Sequence, residues 1–184
     1  HENIGYGPVN LPDQELHTTA AWWQLPQAVL DAAFDSRQHA LDGFLGAAHA
    51  LHLVAQLLVM AEAQDLQKAV GSGDGAWFAS ADGAGRGQWR NADGQPGSPD
   101  DVRGFTPTLY LYDNYPGGVG LSLPLFERRA ELHARAVELV RDCGCRGGCP
   151  ACVGPVLEAQ EGEGADSPKR TAQRVLALLG AADA

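Results

Sequence analysis

Four cysteines in the last third of this 184-residue sequence carry its clearest chemical signal. They are Cys143, Cys145, Cys149 and Cys152, in the pattern C-x-C-x3-C-x2-C. Four soft thiolates this close together match a tetrahedral zinc site, and the glycines between them let the backbone turn sharply from one ligand to the next. Because protein ligands fill all four positions, none remains for a substrate. The pattern therefore predicts one structural zinc ion held by a knuckle over residues 143–152.

Three other uses of the cysteines compete with zinc. An iron–sulfur cluster is also held by four thiolates, but the spacing matches none of the ferredoxin-type patterns. Cys149 and Cys152 form a C-x-x-C pair, which in redox proteins usually opens a helix after a strand and needs no second pair beside it. Two disulfides would fit an exported protein, yet the chain opens with His1-Glu2-Asn3-Ile4 and shows no signal peptide. We favour zinc and expect a cytoplasmic protein cut from something larger.

The segment before the cysteines has the pattern of a strand, a loop and a helix. Residues 108–112 alternate and predict a strand, and residues 124–141 predict a helix that ends at the knuckle. Between them, Gly117, Gly118 and Gly120 could offer amides to a DNA phosphate. The loop lacks the Lys and Ser/Thr of a P-loop, so a tight turn is the favoured interpretation. Asp113 could cap that turn or anchor a neighbouring loop.

Residues 36 to about 65 predict the dominant helix, with apolar residues at i, i+3 and i+4 and a second apolar set opposite. Its uncharged part, residues 44–61, is long enough to span a membrane. It lacks flanking basic and aromatic anchors, so we expect a buried helix and no membrane partner. Gly43 and Gly46 within it would permit close packing or mark a bend.

His49 and His52 lie three residues apart on this helix and could share a metal. Because they fall in an apolar stretch, hydrogen-bonded core histidines are the favoured interpretation.

The remaining segments complete an expected fold of class α/β (α+β). Residues 17–23 predict a strand, a short helix should begin near Gln27, and residues 168–179 predict a last helix after an acidic linker at 158–167. Residues 71–104 read as a long flexible insertion, in which Trp77 and Trp89 are expected to be pinned to the core rather than to stack on a base. We expect one domain over 1–184, with a buried central helix, a small sheet and the zinc knuckle.

The charge distribution limits how the chain could meet nucleic acid. The formal net charge is −10, with 2 Lys+Arg against 10 Asp+Glu in residues 1–85 and 11 against 13 in residues 86–184. Phosphate neutralisation supplies most of the affinity for nucleic acid. Any DNA contact should therefore be local and lie on the second half, where Arg141 and Arg146 are candidate contacts.

Two motifs resemble a known family. The run Leu109-Tyr-Leu-Tyr-Asp-Asn-Tyr-Pro-Gly-Gly-Val-Gly120, a charged helix and then Cys-x-Cys-x3-Cys-Pro-x-Cys-Val-Gly-Pro155 resemble the zinc-binding C-terminal domain of the MrfA/Hrq-type superfamily 2 helicases. The opening His1-Glu-Asn-Ile-Gly-Tyr-Gly7, the run Gly46-Ala-Ala-His-Ala-Leu51 and Lys169 are also similar to this family. The resemblance covers most of the chain apart from residues 71–104.

The resemblance implies a C-terminal accessory domain attached to a DNA-dependent ATPase that moves 3′ to 5′ along a single strand in DNA repair. Its partners would be the motor domains of the same polypeptide and single-stranded DNA, and ATP and Mg²⁺ would bind only in the parent helicase core. The 184 residues contain neither a P-loop nor a Mg²⁺-holding Asp-Glu box, so this chain cannot hydrolyse ATP in the family's manner. The alternative is a stand-alone zinc module that recruits a separate helicase or another partner.

Overall fold

A five-stranded antiparallel sheet and a layer of helices form the part of the chain that the computed structural model describes, residues 15–80, 88–155 and 167–182. The strands lie in the order β1-β5-β2-β3-β4, so that β5 pairs with β1 on one side and β2 on the other. Their bounds are β1 Ala20–Gln24, β2 Leu66–Ser72, β3 Trp77–Ser80, β4 Gln88–Asn91 and β5 Pro107–Asp113. The predicted strand at 108–112 is confirmed and occupies the interior of the sheet.

Within residues 15–80, 88–155 and 167–182, five helices accompany the sheet, together with a short 3-10 turn at Pro99–Asp101. Their bounds are α1 Gln27–Ala33, α2 Arg37–Val59, α3 Ser122–Glu127, α4 Arg129–Asp142 and α5 Pro168–Ala182. Helix α2 packs on β2 and β5 and also contacts α4 and α5. The mixed α+β fold with one long buried helix agrees with the expectation from sequence, and α5 confirms the predicted last helix. The opening residues 1–14 lie outside the described part of the chain. The predicted linker at 158–167 also lies outside it, apart from Ser167.

Helix α2 is the central core element. Its N-terminus is capped by Ser36, whose side chain accepts a hydrogen bond from the His39 amide at 3.2 Å. It is long and apolar enough to cross a membrane, but 56% of its most apolar window is buried inside the protein, as in a core helix.

Gly43 and Gly46 let α2 approach α5 closely. A Cβ atom on Gly43 would lie 2.8 Å from the Thr171 carbonyl oxygen, and one on Gly46 would lie 2.8 Å from the Ala172 Cβ. The close-packing prediction for both glycines is therefore confirmed.

Two helix predictions need correction. Helix α2 ends at Val59, not near residue 65, because Met60 adopts the left-handed conformation and the following turn is tied to the end of β5 by the Asn114 amide, which donates to the Asp65 carbonyl at 2.8 Å. The predicted helix over 124–141 is two helices, α3 and α4, that meet at Arg128 with φ −97° and ψ 18°. No Gly or Pro stands at this break, so local sequence does not mark it.

Residues 71–104, predicted to be a long flexible insertion, contain regular elements in their described part, so the segment is not one continuous loop there. Residues 71–72 end β2, and β3, β4 and the 3-10 turn follow. Strands β3 and β4 are four residues long, and the sequence around them is rich in Gly, Asp and Ser, so their period-2 pattern is too short to detect. Trp77 and Trp89 are buried, which confirms that they are pinned to the core, and Trp77 stacks on Phe105 at 5.4 Å between ring centroids.

Candidate metal centre

The four cysteine sulfurs lie in the arrangement that a single tetrahedral ion requires. All four Sγ atoms are within 4.8 Å of one another. The Sγ–Sγ distances are 3.6 Å for Cys143–Cys149, 3.5 Å for Cys145–Cys152 and 3.7 Å for Cys149–Cys152. Zinc–sulfur bonds of about 2.3 Å in a regular tetrahedron place sulfurs about 3.8 Å apart. The residues present therefore fit one zinc ion with four protein ligands.

The same distances separate zinc from the competing chemistries. All four cysteines are free thiols, and their separations are far longer than the disulfide bond length of about 2.05 Å. In a cluster of several iron atoms, cysteine sulfurs that bind different irons would lie farther apart than these sulfurs do. A centre for one ion, closed by four thiolates, has a structural role.

The thiols differ in how readily they lose a proton. The pKa of Cys143 is lowered to about 7, chiefly because the Cys145 backbone amide donates to its sulfur. Burial raises the pKa of Cys145 and, more strongly, that of Cys152, the fully buried ligand. A bound cation would offset this burial cost by stabilising the thiolates, so metal binding and deprotonation are coupled at this site.

Helix α4 and a tight turn position the ligands. Cys143 follows the last residue of α4, and the amides of Cys152 and Val153 both donate to the Cys149 carbonyl, at 3.0 and 3.1 Å. Gly148 has φ +126°, and a Cβ there would lie 2.8 Å from the Val153 side chain. Only glycine satisfies both the backbone conformation and the space at this position.

Lys169, near the start of α5, joins that helix to the knuckle. Its side chain is 8% exposed, and its Nζ donates to the carbonyl oxygens of Cys143 at 2.6 Å and Cys145 at 3.1 Å. Its amide also donates to the Gly147 carbonyl at 2.9 Å. The positive charge lies beside four thiolates that would leave a net charge of −2 on a zinc complex. Sequence reasoning noted Lys169 only through the family resemblance and missed this role.

His49 and His52 are both hydrogen-bonded within the fold, as predicted; His52 is buried and His49 is half-buried. His49 Nε2 lies 2.8 Å from the Pro150 carbonyl oxygen, so α2 contacts the knuckle directly, and His52 Nε2 lies 2.7 Å from the Leu66 carbonyl oxygen. Burial lowers the pKa of His49 to about 4, which keeps the ring neutral and able to donate to Pro150. Within the described residues, the cysteines are the group placed to hold a metal ion.

The Asp113 carboxylate accepts hydrogen bonds from the loop at residues 117–120, which we call the glycine loop. One carboxylate oxygen accepts hydrogen bonds from the amides of Val119, Gly120 and Leu121 at 2.7–3.1 Å, and the other accepts from the Ser122 amide and hydroxyl. This confirms the prediction that Asp113 caps the turn.

The other loop amides also have internal acceptors. Gly117 donates to the His17 carbonyl at 2.7 Å, and Gly118 donates to the Tyr115 carbonyl at 2.9 Å. The amides of Gly117, Gly118 and Gly120 are therefore engaged within the protein, which favours the tight turn over a phosphate contact.

The two candidate arginines lie beside the knuckle. Arg141 is exposed near the end of α4 and forms an ion pair with Asp142 at 2.7 Å. Arg146 is exposed between the second and third cysteines. The glycine loop precedes α3 whereas the cysteines follow α4, a helix of about 21 Å, so the candidate DNA contacts do not form one contiguous set along the chain.

Comparison with known proteins identifies a family and two kinds of relative. The model of the MrfA Zn-binding domain matches residues 47–153, which include all four cysteines. The ATP-dependent helicase YprA of Bacillus subtilis (strain 168) is 31% identical over 162 residues, covering 85% of this chain and 17% of the helicase. A protein of Methanocaldococcus jannaschii is 36% identical over 45 residues, covering 24% of this chain and 40% of that protein.

Two crystal structures share the fold. One is of the DUF1998 helicase MrfA bound to DNA, with a TM-score of 0.63 and 25% identity, covering 96% of this chain and 19% of that one. The other is of MrfA bound to DNA and AMPPNP, with a TM-score of 0.55 and 27% identity, covering 96% of this chain and 17% of that one. The chain thus spans less than a fifth of these helicases. Because the family model spans more than half of the chain and includes the complete set of four thiolates, this chain belongs to the MrfA Zn-binding domain family.

Proposed function

We propose that this chain is a non-catalytic accessory domain of an ATP-dependent 3′ to 5′ DNA helicase that acts in DNA repair in the cytoplasm. The observation that carries the proposal is the closed four-cysteine centre in a domain whose fold matches part of MrfA bound to DNA. ATP and Mg²⁺ bind in the parent motor, because the 184 residues contain no phosphate-binding loop of their own. The domain contributes shape and rigidity to the motor.

The zinc centre supplies that rigidity by joining three helices. Cys143 continues from α4, Pro150 contacts His49 of α2, and Lys169 of α5 binds two knuckle carbonyls. Since these contacts meet within one short turn, loss of the ion releases the helix ends from one another. The domain then docks less firmly on the motor and no longer borders the strand in a defined position.

Arg141 and Arg146 provide the local positive charge through which the knuckle borders single-stranded DNA. In a chain with a net charge of −10, this contact guides a strand that the motor already holds and does not grip DNA unaided. The glycine loop contributes a rigid turn, because its amides are already bonded internally.

The test uses the natural polypeptide that carries this chain. Cys149→Ser should leave much of its DNA-stimulated ATPase while severely reducing strand separation, with folding checked by circular dichroism. Arg141→Ala combined with Arg146→Ala should reduce the salt dependence of DNA binding by one to two phosphate contacts, each about 0.7 in log–log slope for a single strand. Arg129→Ala combined with Arg135→Ala is the matched control, since it removes equal charge elsewhere on α4. Normal unwinding by the knuckle variants would contradict the proposal.

A second candidate function is a stand-alone zinc module that recruits a separate helicase or another partner. The M. jannaschii relative favours it, because the 45 matched residues make up 40% of that protein, which is therefore shorter than this chain. One observation distinguishes the two candidate functions. A natural polypeptide with ATPase motifs supports the helicase domain, whereas one without them supports the recruiting module.

A further inference from the structure

Helix α2 covers one face of the sheet, and we call the other the open face because, in the described part of the chain, it carries exposed side chains. Along β1 the burial alternates, so that Ala21 and Trp23 are buried and Trp22 is 59% exposed. The same alternation continues in β3, where Trp77 and Ala79 are buried and Phe78 is 45% exposed. Exposed apolar side chains that form a contiguous patch often mark an interaction site, whereas single ones need no explanation. The open face is therefore a candidate interaction surface.

The strand register brings four aromatic residues onto this open face. Trp22 of β1 lies opposite Tyr110 of β5, and Tyr112 of β5 lies on the same side, two residues further along. Gly71 of β2 lies opposite both Thr108 and Phe78, which places Phe78 on that side too. We call this set, Trp22, Phe78, Tyr110 and Tyr112, the aromatic face. It extends over four neighbouring strands, from β1 to β3, which is about 14 Å at ordinary strand spacing.

The charge of the aromatic face differs from that of the whole chain. Among the outward positions of the five strands, Arg90 on β4 carries the one formal charge, and no carboxylate is present. The chain as a whole has a net charge of −10. Polar side chains, Gln24 and Gln67 among them, lie beside the aromatic rings and can both donate and accept hydrogen bonds. The outward strand positions therefore add no negative charge that would repel phosphate.

We propose that the aromatic face is a stacking surface for single-stranded DNA. Bases of an unpaired strand present flat π-faces that stack on exposed aromatic rings with little dependence on sequence, and open sheets that bind RNA stack two or three bases in this way. A duplex cannot bind so, since its bases are already stacked. A protein partner would also bury aromatic rings, but the absence of carboxylates and the presence of Arg90 favour an anionic strand. The inference rests on the proposed function, because it adds a stacking site for the strand to the contact proposed at the knuckle.

Trp22 makes the surface measurable in the zinc-loaded 184-residue chain. The other three tryptophans, Trp23, Trp77 and Trp89, are at most 9% exposed, so an added strand can reach Trp22 far better than the others. Titration with oligo(dT) at low salt should quench part of the intrinsic fluorescence as bases stack on Trp22. Trp22→Ala should abolish this quenching and weaken binding, measured by anisotropy of a labelled oligo(dT), by roughly 5- to 150-fold.

Two further variants separate stacking from a general loss of apolar surface. Trp22→Phe keeps an aromatic ring and should retain most of the binding. Leu57→Ala removes an 82% exposed apolar side chain on α2, on the other side of the sheet, and should bind as the unaltered chain does. Tyr112→Ala should weaken binding in the same direction as Trp22→Ala. Circular dichroism and zinc content show that each variant is folded.

Three results would overturn the inference. They are oligo(dT) binding that is equal in Trp22→Ala and Leu57→Ala, duplex DNA binding that is as sensitive to Trp22 as oligo(dT) binding, and a Trp22→Ala defect confined to association with the helicase motor. Failure of the proposed function would give a different set of results from failure of this inference. If the natural polypeptide neither hydrolyses ATP nor separates strands, yet this chain binds oligo(dT) through Trp22, the aromatic face stands and the helicase assignment fails.

Discussion

Lys169→Met is expected to weaken zinc binding by about 10- to 100-fold, the range seen when the hydrogen-bond partners around metal ligands are removed. The substitution keeps an unbranched apolar side chain in a position that is 8% exposed. It removes the ammonium group that donates to the carbonyl oxygens of Cys143 at 2.6 Å and Cys145 at 3.1 Å. It also removes the positive charge that α5 places beside the knuckle.

The magnitude follows from opposing effects. Each hydrogen bond from a charged donor contributes about 1.5–3 kcal/mol, and the lower end applies because Cys143 and Cys145 are half-buried and water can replace the donor. Against this, a cation in the first turn of α5 opposes the helix dipole by about 0.3–1 kcal/mol, which the substitution relieves. Two such bonds contribute about 3 kcal/mol, so the net loss is about 2–2.7 kcal/mol, which lies within the expected 10- to 100-fold change in zinc affinity.

The assay is competition for zinc with a chelator of known affinity, together with urea unfolding of the zinc-loaded and zinc-free chain. The loss of unfolding free energy should be larger with zinc than without it. The reason is that the negatively charged zinc–thiolate complex, which Lys169 faces, forms only when zinc is bound. Lys169→Arg keeps the charge and should recover part of the affinity. Arg170→Met makes a similar change at the exposed neighbouring residue and should have little effect. Wild-type zinc affinity in Lys169→Met would refute the reasoning.

Four further outcomes are expected. Elemental analysis of the isolated 184-residue chain should give one zinc and little iron, and Cys149→Ser in that isolated chain should lose the metal and solubility; a visible cluster absorption band would contradict this. Gly43→Ala should destabilise the chain by about 1–2 kcal/mol in urea unfolding, since its Cβ would lie 2.8 Å from the Thr171 carbonyl oxygen and overpacking outweighs the gain in helix propensity. Burial of the Asp113 carboxyl raises its pKa, but hydrogen bonds from Ser122 and the loop amides lower it more, so the net pKa is below the ordinary value. Its contribution is present above about pH 4 and is lost as pH falls through the lower folded-state pKa, so Asp113→Asn should cost about 2–4 kcal/mol at pH 7, and the difference from wild type should shrink in acid. The chain alone should show no ATPase activity and bind single-stranded DNA with a Kd of micromolar or weaker at physiological salt, and salt-dependent nanomolar binding would contradict this.

Local sequence was sufficient where the partners of a residue are close along the chain. The four ligands lie within ten positions, so their spacing alone predicted a centre for one ion, and the sulfur distances agree with it. The apolar pattern of α2 and the alternation of β5 were equally legible, since each repeats over enough residues to show its period. Short or interrupted patterns do not show their period. The sequence therefore did not predict strands β2, β3 and β4, and it predicted one helix where the structure has α3 and α4.

The tertiary structure alone decided which distant groups meet. Lys169 reaches carbonyls 24 and 26 residues away, and His49 reaches a carbonyl 101 residues away, contacts that no local spacing encodes. The glycine loop could have held a phosphate by its sequence, but in the folded chain the Asp113 carboxylate already accepts several of its amide hydrogen bonds. The aromatic face likewise depends on pairing β1 with β5 and β5 with β2. The physical reason is the same in each case, because a side chain's partner is chosen by packing and strand register, which join segments far apart in sequence.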